Sequence, residues 1–228
     1  MLHLQTDAPF WARRRESSRP RSARTFYVHR AEISGSDRRV LSSFEPMHDH
    51  VMGADSAVAL LSALGDGGVD VRLSGGWAVD ALLGEQTRVH SDLDLWLEAT
   101  QFEQVITVLA QVGVDRLYPW GNDRPWNFVV HDGARRRVDL HAYERLRDGS
   151  IRYGGFEVGE TFPSDALDGR GSIKSVDVRC EAPAWSLQWH TGYPARPVDL
   201  QDVGRLCERF NLELPQGFYS SHTAPPEP

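Results

Sequence analysis

Residues 91–98 read SDLDLWLE, and this stretch limits what the chain can become more than any other. Its alternation has period two, the pattern of a half-buried β-strand, with Leu93, Leu95 and Leu97 on one face and Asp92, Asp94 and Trp96 on the other. Two carboxylates side by side on a strand repel each other, and burying them is costly unless they are paired or bound to a cation. The strand must therefore show its leucine face to a core and its aspartate face to a site that holds positive charge.

The flanking sequence supplies a frame. Residues 55–64 place Val58, Leu60, Leu61 and Leu64 on one helix face, with Asp55 as N-cap and a glycine-rich stop at residues 65–68. A short strand over 69–73 leads into the turn Ser74-Gly75-Gly76, and residues 77–83 read as a short helix stopped by Gly84. After the aspartate strand, Thr100 and Glu103 form a capping-box pattern ahead of an apolar helix. Residues 125–131 and 137–143 then read as a hairpin about Asp132-Gly133, with Asp139 and His141 on one face of the returning strand. Beyond about residue 150, strand candidates at 156–158 and 176–180 precede helices at 184–190 and 198–210, a smaller and mainly helical part. The expected divisions are 1–46, 47–150, 151–215 and 216–228.

Composition narrows the chemistry. Residues 1–46 hold nine Arg against five acids, and the remainder sixteen basic residues against 27 acids. So acidic a body repels nucleic-acid backbones and attracts cations and amine-bearing small molecules. Residues 1–46 lack periodicity and read as a disordered tail or as upstream sequence before a start at Met47, with a transit peptide as the alternative. No apolar run reaches the length of a membrane span. Cys180 and Cys207 make no framework and read as free thiols of a cytoplasmic protein. The oligomeric state stays open.

Hard oxygen ligands such as Asp92 and Asp94 suit Mg²⁺, which takes one or two carboxylates and leaves room for substrate phosphates. Asp139, on a strand that can lie beside theirs, adds a third carboxylate and makes a two-ion arrangement possible. Ser74, Gly75 and Gly76 form the complementary half: the glycines admit a close phosphate, the helix start directs N–H groups at it, and the Ser74 hydroxyl can donate. Thr87, Arg88 and His90 lie between the two halves, placed to reach phosphate oxygens or to brace the strand.

Each piece has a plainer reading. Asp139 can be half of a salt bridge with Arg137, and Arg88 can pair with Asp80 or Glu85. His141 can be a base, an orienter of Asp139 or a sheet-edge histidine. His190 and Tyr193 can touch substrate or simply cap and pack a helix end, and Trp120 and Trp126 can stack on a ligand or fill the core. Asp199 and Asp202 fit a helix start better than a metal site. The ordered combination, a Gly-Gly turn, a helix, a D-x-D strand and a later strand aspartate, points to nucleoside triphosphate chemistry.

The stretches GGWAVDALLG, TRVHSDLDL and RRVDLHAYE resemble the lincosamide and aminoglycoside nucleotidyltransferases of the DNA polymerase β-like superfamily. The segments VRC, HTGY and DLQDVGRLCERFNLELP extend the likeness from about Val58 to Pro215. The resemblance implies an α+β fold with a mixed sheet and flanking helices. It implies that Asp92 and Asp94 bind Mg²⁺, that Asp139 is a third ligand or the base for an acceptor hydroxyl, and that Ser74, Gly75 and Gly76 hold the triphosphate. The reaction implied is transfer of AMP from ATP to a small-molecule hydroxyl, with release of pyrophosphate. A lincosamide is the first acceptor and an aminoglycoside the second. The alternatives are a toxin-like enzyme acting on protein or RNA, and a non-catalytic nucleotide-binding protein.

Overall fold

The computed structural model describes residues 40–41, 50–119, 126–154, 159–190 and 193–215. Trp120, the strand expected at 156–158, Thr191, Gly192 and residues 216–228 lie outside this set, as does nearly all of the stretch 1–46. Within that stretch Val40–Leu41 (β1) pairs in parallel with Arg116–Pro119 (β4), so this part of the expected tail belongs to the sheet.

The sheet is mixed. Val71–Ser74 (β2) runs antiparallel to Leu93–Glu98 (β3), and β3 runs parallel to Arg137–Arg145 (β6), which returns from Asn127–His131 (β5) as a hairpin. Ile151–Tyr153 (β7) and Glu160–Phe162 (β8) extend the far end of β6. Gly169–Ile173 (β9) and Val176–Cys180 (β10) form a hairpin that joins the other side, with β10 parallel to β2. The order is thus β1-β4-β5-β6-β3-β2-β10-β9. The sheet crosses the boundary expected near residue 150, because two C-terminal strands complete its β2 edge.

The leucine face of β3 meets the core. Leu93, Leu95 and Leu97 are fully buried with Leu60 and Leu64 of helix α1 (Ala54–Asp66), Val79 of α2 (Gly75–Leu83) and Phe102, Val105 and Leu109 of α3 (Phe102–Gln111). Two helix starts differ from expectation. Gly53 is the N-cap of α1, which puts Asp55 in the first turn, where it meets Lys174 of the β9–β10 turn. The Thr100 capping box does not form, because the 3₁₀ turn Ala99–Gln101 comes first and α3 starts at Phe102. Gly84 ends α2 as expected, at φ 78°.

Helix α2 rests on β9 at Gly171, where a Cβ would stand 2.1 Å from the Ala81 carbonyl oxygen. Main chain cannot yield there, so Gly171→Ala is expected to cost about 2–3 kcal/mol, read as a lower urea midpoint at unchanged slope. The remaining helices, α4 (Pro183–Trp189) and α5 (Pro197–Phe210), pack against the outer side of α2. Among the described residues no helix is long and apolar enough to cross a membrane.

Candidate active site

Strand register brings the carboxylates together. Asp94 on β3 is the direct partner of Asp139 on β6, and one step along Trp96 is the partner of His141, so all four share the face opposite the leucines. Asp92 lies just before β3. Burial, and then the charges of Asp94 and Asp139, push its carboxyl up to about 7. Burial would raise Asp94 too, but the hydrogen bond and charge of His141, with Arg137, outweigh it and hold Asp94 below its ordinary value. Asp139 is raised by burial, although Arg137 grips both its oxygens, at 2.6 and 2.8 Å. The plainer reading of Asp139 as an Arg137 partner is therefore realised inside the site itself.

His141 is held from both sides. Its Nε2 lies 3.3 Å from Asp94 Oδ1, and Nδ1 lies 2.8 Å from Asn127 Nδ2. With Nδ1 accepting from Asn127, Nε2 carries the proton donated to Asp94; burial would lower the imidazole, but the Asp94 bond and the charges of Asp94 and Asp139 hold it above its ordinary value. Tyr153 in turn donates to Asn127 Oδ1. His141 thus lies inside the sheet, between β5 and β3, two residues from Asp139 and bonded to Asp94.

The turn before α2 faces the same carboxylates. Gly75 has φ 58°, and a Cβ there would lie 2.5 Å from Asp94 Oδ2, so glycine both permits the turn and admits the carboxylate. At Gly76 a Cβ would lie 2.1 Å from Arg88 Nη2 and 2.7 Å from His90. On their Cβ side these two glycines are packed by Asp94, Arg88 and His90. Ser74 caps α2, but its hydroxyl donates to Glu181 and is not free to donate elsewhere.

The other candidates fall around this centre. Arg88 pairs neither with Asp80 nor with Glu85; its Nε and Nη2 donate to Asp202 of α5 at 2.9–3.3 Å. Asp80 instead accepts from the Thr87 N–H and hydroxyl at 3.0 and 2.6 Å and meets His90 Nε2 at 2.5 Å, tying α2 to the approach to β3. His190 is buried; its Nδ1 donates to the Ser186 carbonyl, and its Nε2 is 4.0 Å from Asp202. Tyr193 donates to Asp199 at 3.1 Å. Asp199 is the N3 residue of α5 and accepts from the Arg196 N–H, the helix-start role expected of it. Trp126 is buried in the fold, and Cys180 and Cys207 are buried free thiols.

The charge balance tests whether cations fit. Three carboxylates crowd together here beside the Arg137 guanidinium, and burial with the charges of Asp94 and Asp139 raises Asp92. Among the described residues no three side chains converge as a ready-made cage. An open site with carboxylates from two strands suits a cation that completes its shell with water and substrate oxygens.

Sequence reasoning missed Glu181, Asn127 and Tyr153. Asn127 was within reach, since the Asp132-Gly133 turn signal fixes a hairpin in which Asn127 faces His141. Glu181 carries no spacing signal; it follows β10, whose pairing with β2 depends on the whole fold.

Carboxylates from neighbouring parallel strands, set before a Ser-Gly-Gly helix start, define a nucleotidyltransferase. The chain belongs to the aminoglycoside-2''-adenylyltransferase family, whose model matches residues 57–206. A lincosamide resistance protein of Staphylococcus haemolyticus is 28% identical over 134 residues, 59% of this chain and 81% of that protein. The crystal structure of the lincosamide antibiotic adenylyltransferase LnuA, lincomycin-bound, is similar at a TM-score of 0.59 and 25% identity, covering 69% of this chain and 98% of that one. The structure of ANT(2")-Ia in complex with adenylyl-2"-tobramycin shares the fold, with a TM-score of 0.53 at 18% identity over 69% of this chain and 88% of that one.

Proposed function

We propose that this enzyme transfers AMP from Mg²⁺-bound ATP to a hydroxyl of a small antibiotic, with a lincosamide as first acceptor and an aminoglycoside as second. The observation that carries the reading is the register of Asp94 opposite Asp139, beside the start of α2. Family membership and the lincosamide-directed relatives support the acceptor class. The enzyme works where ATP is supplied, in the cytoplasm, with residues 47–150 as the transferase core and 151–215 on the acceptor side.

Asp92 and Asp94 hold the cation, and His141 keeps Asp94 in orientation. When bound, Mg²⁺ neutralises charge on the triphosphate. The N–H groups at the start of α2 face the same anion. The acceptor oxygen attacks the α-phosphorus, its proton passes to Asp139, whose buried carboxyl is raised, and the bond to pyrophosphate breaks. Arg137 keeps Asp139 aimed at that proton. Positioning and electrostatics supply most of the acceleration.

The test is pyrophosphate release from Mg-ATP against a panel of lincosamides and aminoglycosides, with mass spectrometry of the products. A drug heavier by one AMP supports the reading. Mg-ATP binding without a product from any antibiotic would move the acceptor elsewhere.

Asp92 also ties cation binding to pH. Its folded value of about 7 lies above the ordinary 3.8, so between the two the folded chain holds a proton that the unfolded chain has lost. Without metal, stability contributed at this position falls as pH rises through that window and levels off above about 7. A cation competing with the proton reverses the trend. The rise in Tm on adding Mg²⁺ is therefore expected to grow from about pH 5.5 to about pH 8, and a shift independent of pH would count against the assignment.

A further inference from the structure

The mechanism above gives no part to Glu181, a buried carboxylate that touches the site. Glu181 follows β10, is 1% exposed, and reaches the site from the C-terminal half of the chain. Its backbone N–H donates to the Leu73 carbonyl at 3.0 Å, which continues the β10–β2 pairing to the foot of the Ser-Gly-Gly turn. Its Oε1 accepts twice: from the Ser74 hydroxyl, and from Trp96 Nε1 at 2.7 Å. Among the described residues its Oε2 has no hydrogen-bond partner. Leaving a buried carboxylate oxygen unpaired is costly, and an apolar side chain of similar volume would avoid the cost.

The two donors belong to different halves of the site. Ser74 is the residue from which α2 starts; its side chain makes no cap bond to the helix and turns instead to Glu181, which thereby holds the first residue of the turn facing the anion. Trp96 is a neighbour of His141 (ring centroids 5.1 Å apart), of Tyr153 (4.7 Å) and of Trp189 (5.1 Å), the last two partly exposed. These rings form an aromatic wall on the carboxylate face, one step along the strand from Asp94. An indole N–H anchored below fixes the tilt of the ring above it.

We infer that Glu181 is a positioning residue that sets the nucleotide-facing helix start and the acceptor-facing aromatic wall through one oxygen, Oε1. The inference rests on the proposed transferase reading for the identity of the two ligands. It predicts a division of effects that a purely structural carboxylate would not produce. Ser74→Ala should weaken nucleotide binding alone. Trp96→Phe, which keeps the ring and removes the N–H, should raise the acceptor KM alone. Glu181→Ala should do both.

The experiment measures Mg-ATP affinity by calorimetry, which needs no acceptor, and acceptor KM by pyrophosphate release with lincomycin. Glu181→Ala is expected to weaken Mg-ATP binding about ten-fold and to raise the acceptor KM by a similar factor. In the Glu181→Ala background, Ser74→Ala should add no more than about two-fold, since the shared bond is already gone. Glu181→Gln, whose Oε1 can still accept from both donors, should recover most of the loss. Multiplicative effects of Ser74→Ala and Glu181→Ala would overturn the inference. So would a Glu181→Ala protein that melts earlier but binds Mg-ATP and acceptor as the parent does. If the parent binds Mg-ATP yet modifies no antibiotic, the antibiotic-acceptor reading fails on its own, and the Ser74 arm is decided by the calorimetric cycle.

Discussion

Asp92→Asn and Asp94→Asn should each lower AMP transfer by about 10³-fold or more, yet move stability in opposite directions. Asp92 is destabilised in its ionised form by burial and by two neighbouring carboxylates. A neutral asparagine removes that cost, so at pH 8 without metal Asp92→Asn should melt a few degrees higher than the parent. Asp94 is the reverse case. Its charge is favoured by the His141 bond and by Arg137, so Asp94→Asn should melt lower. Thermal unfolding of the metal-free proteins, read beside pyrophosphate release, checks both signs. A gain in stability with loss of activity at Asp92 is what a site held ready for a cation should show. Retained transfer in either variant would sink the cation assignment.

The second large effect is expected at Arg88. Asp202 is fully buried, and its carboxylate takes three guanidinium contacts from Arg88. Among the described residues, removing the guanidinium leaves a buried charge answered by His190 at 4.0 Å. Arg88→Ala should therefore cost about 3 kcal/mol or more, as broken buried pairs do. Adding Asp202→Asn should recover a good part of that loss. If Arg88 acts on the nucleotide alone, Arg88→Ala will instead raise the KM for ATP and leave the urea midpoint unchanged. Arg88 also packs against Gly76, so both effects can occur together, and the double variant separates them.

Much of this molecule could be read from one-dimensional pattern. The leucine and aspartate faces of β3, the stop of α2 at Gly84 and the β5–β6 hairpin follow from period-two alternation and turn chemistry, which are local. Placing Asp139 on the aspartate face needed one long-range assumption, that β6 lies beside β3, and the structure has it there in register. What stayed hidden is what depends on distant packing. The partner of Arg88 is 114 residues away on α5. Glu181 reaches Ser74 across 107 residues, with no motif to mark it. The glycines were legible as a turn, but not the side chains that fill the space beside them. The capping box at Thr100 failed for a local reason: a 3₁₀ turn claimed the start of α3 before the box could form.

The β2–β10 pairing also bears on the order of events at the ribosome. Strand β2 ends in Ser74, and the strand that covers its open side is made about a hundred residues later, at Val176–Cys180. At ordinary elongation speeds of roughly 5–20 residues per second, that edge waits on the order of ten seconds for its partner. An uncovered strand beside an apolar core is a template for pairing with other chains. The nascent protein is thus most exposed to aggregation, and most dependent on chaperones, between synthesis of its catalytic strands and arrival of the hairpin that closes them.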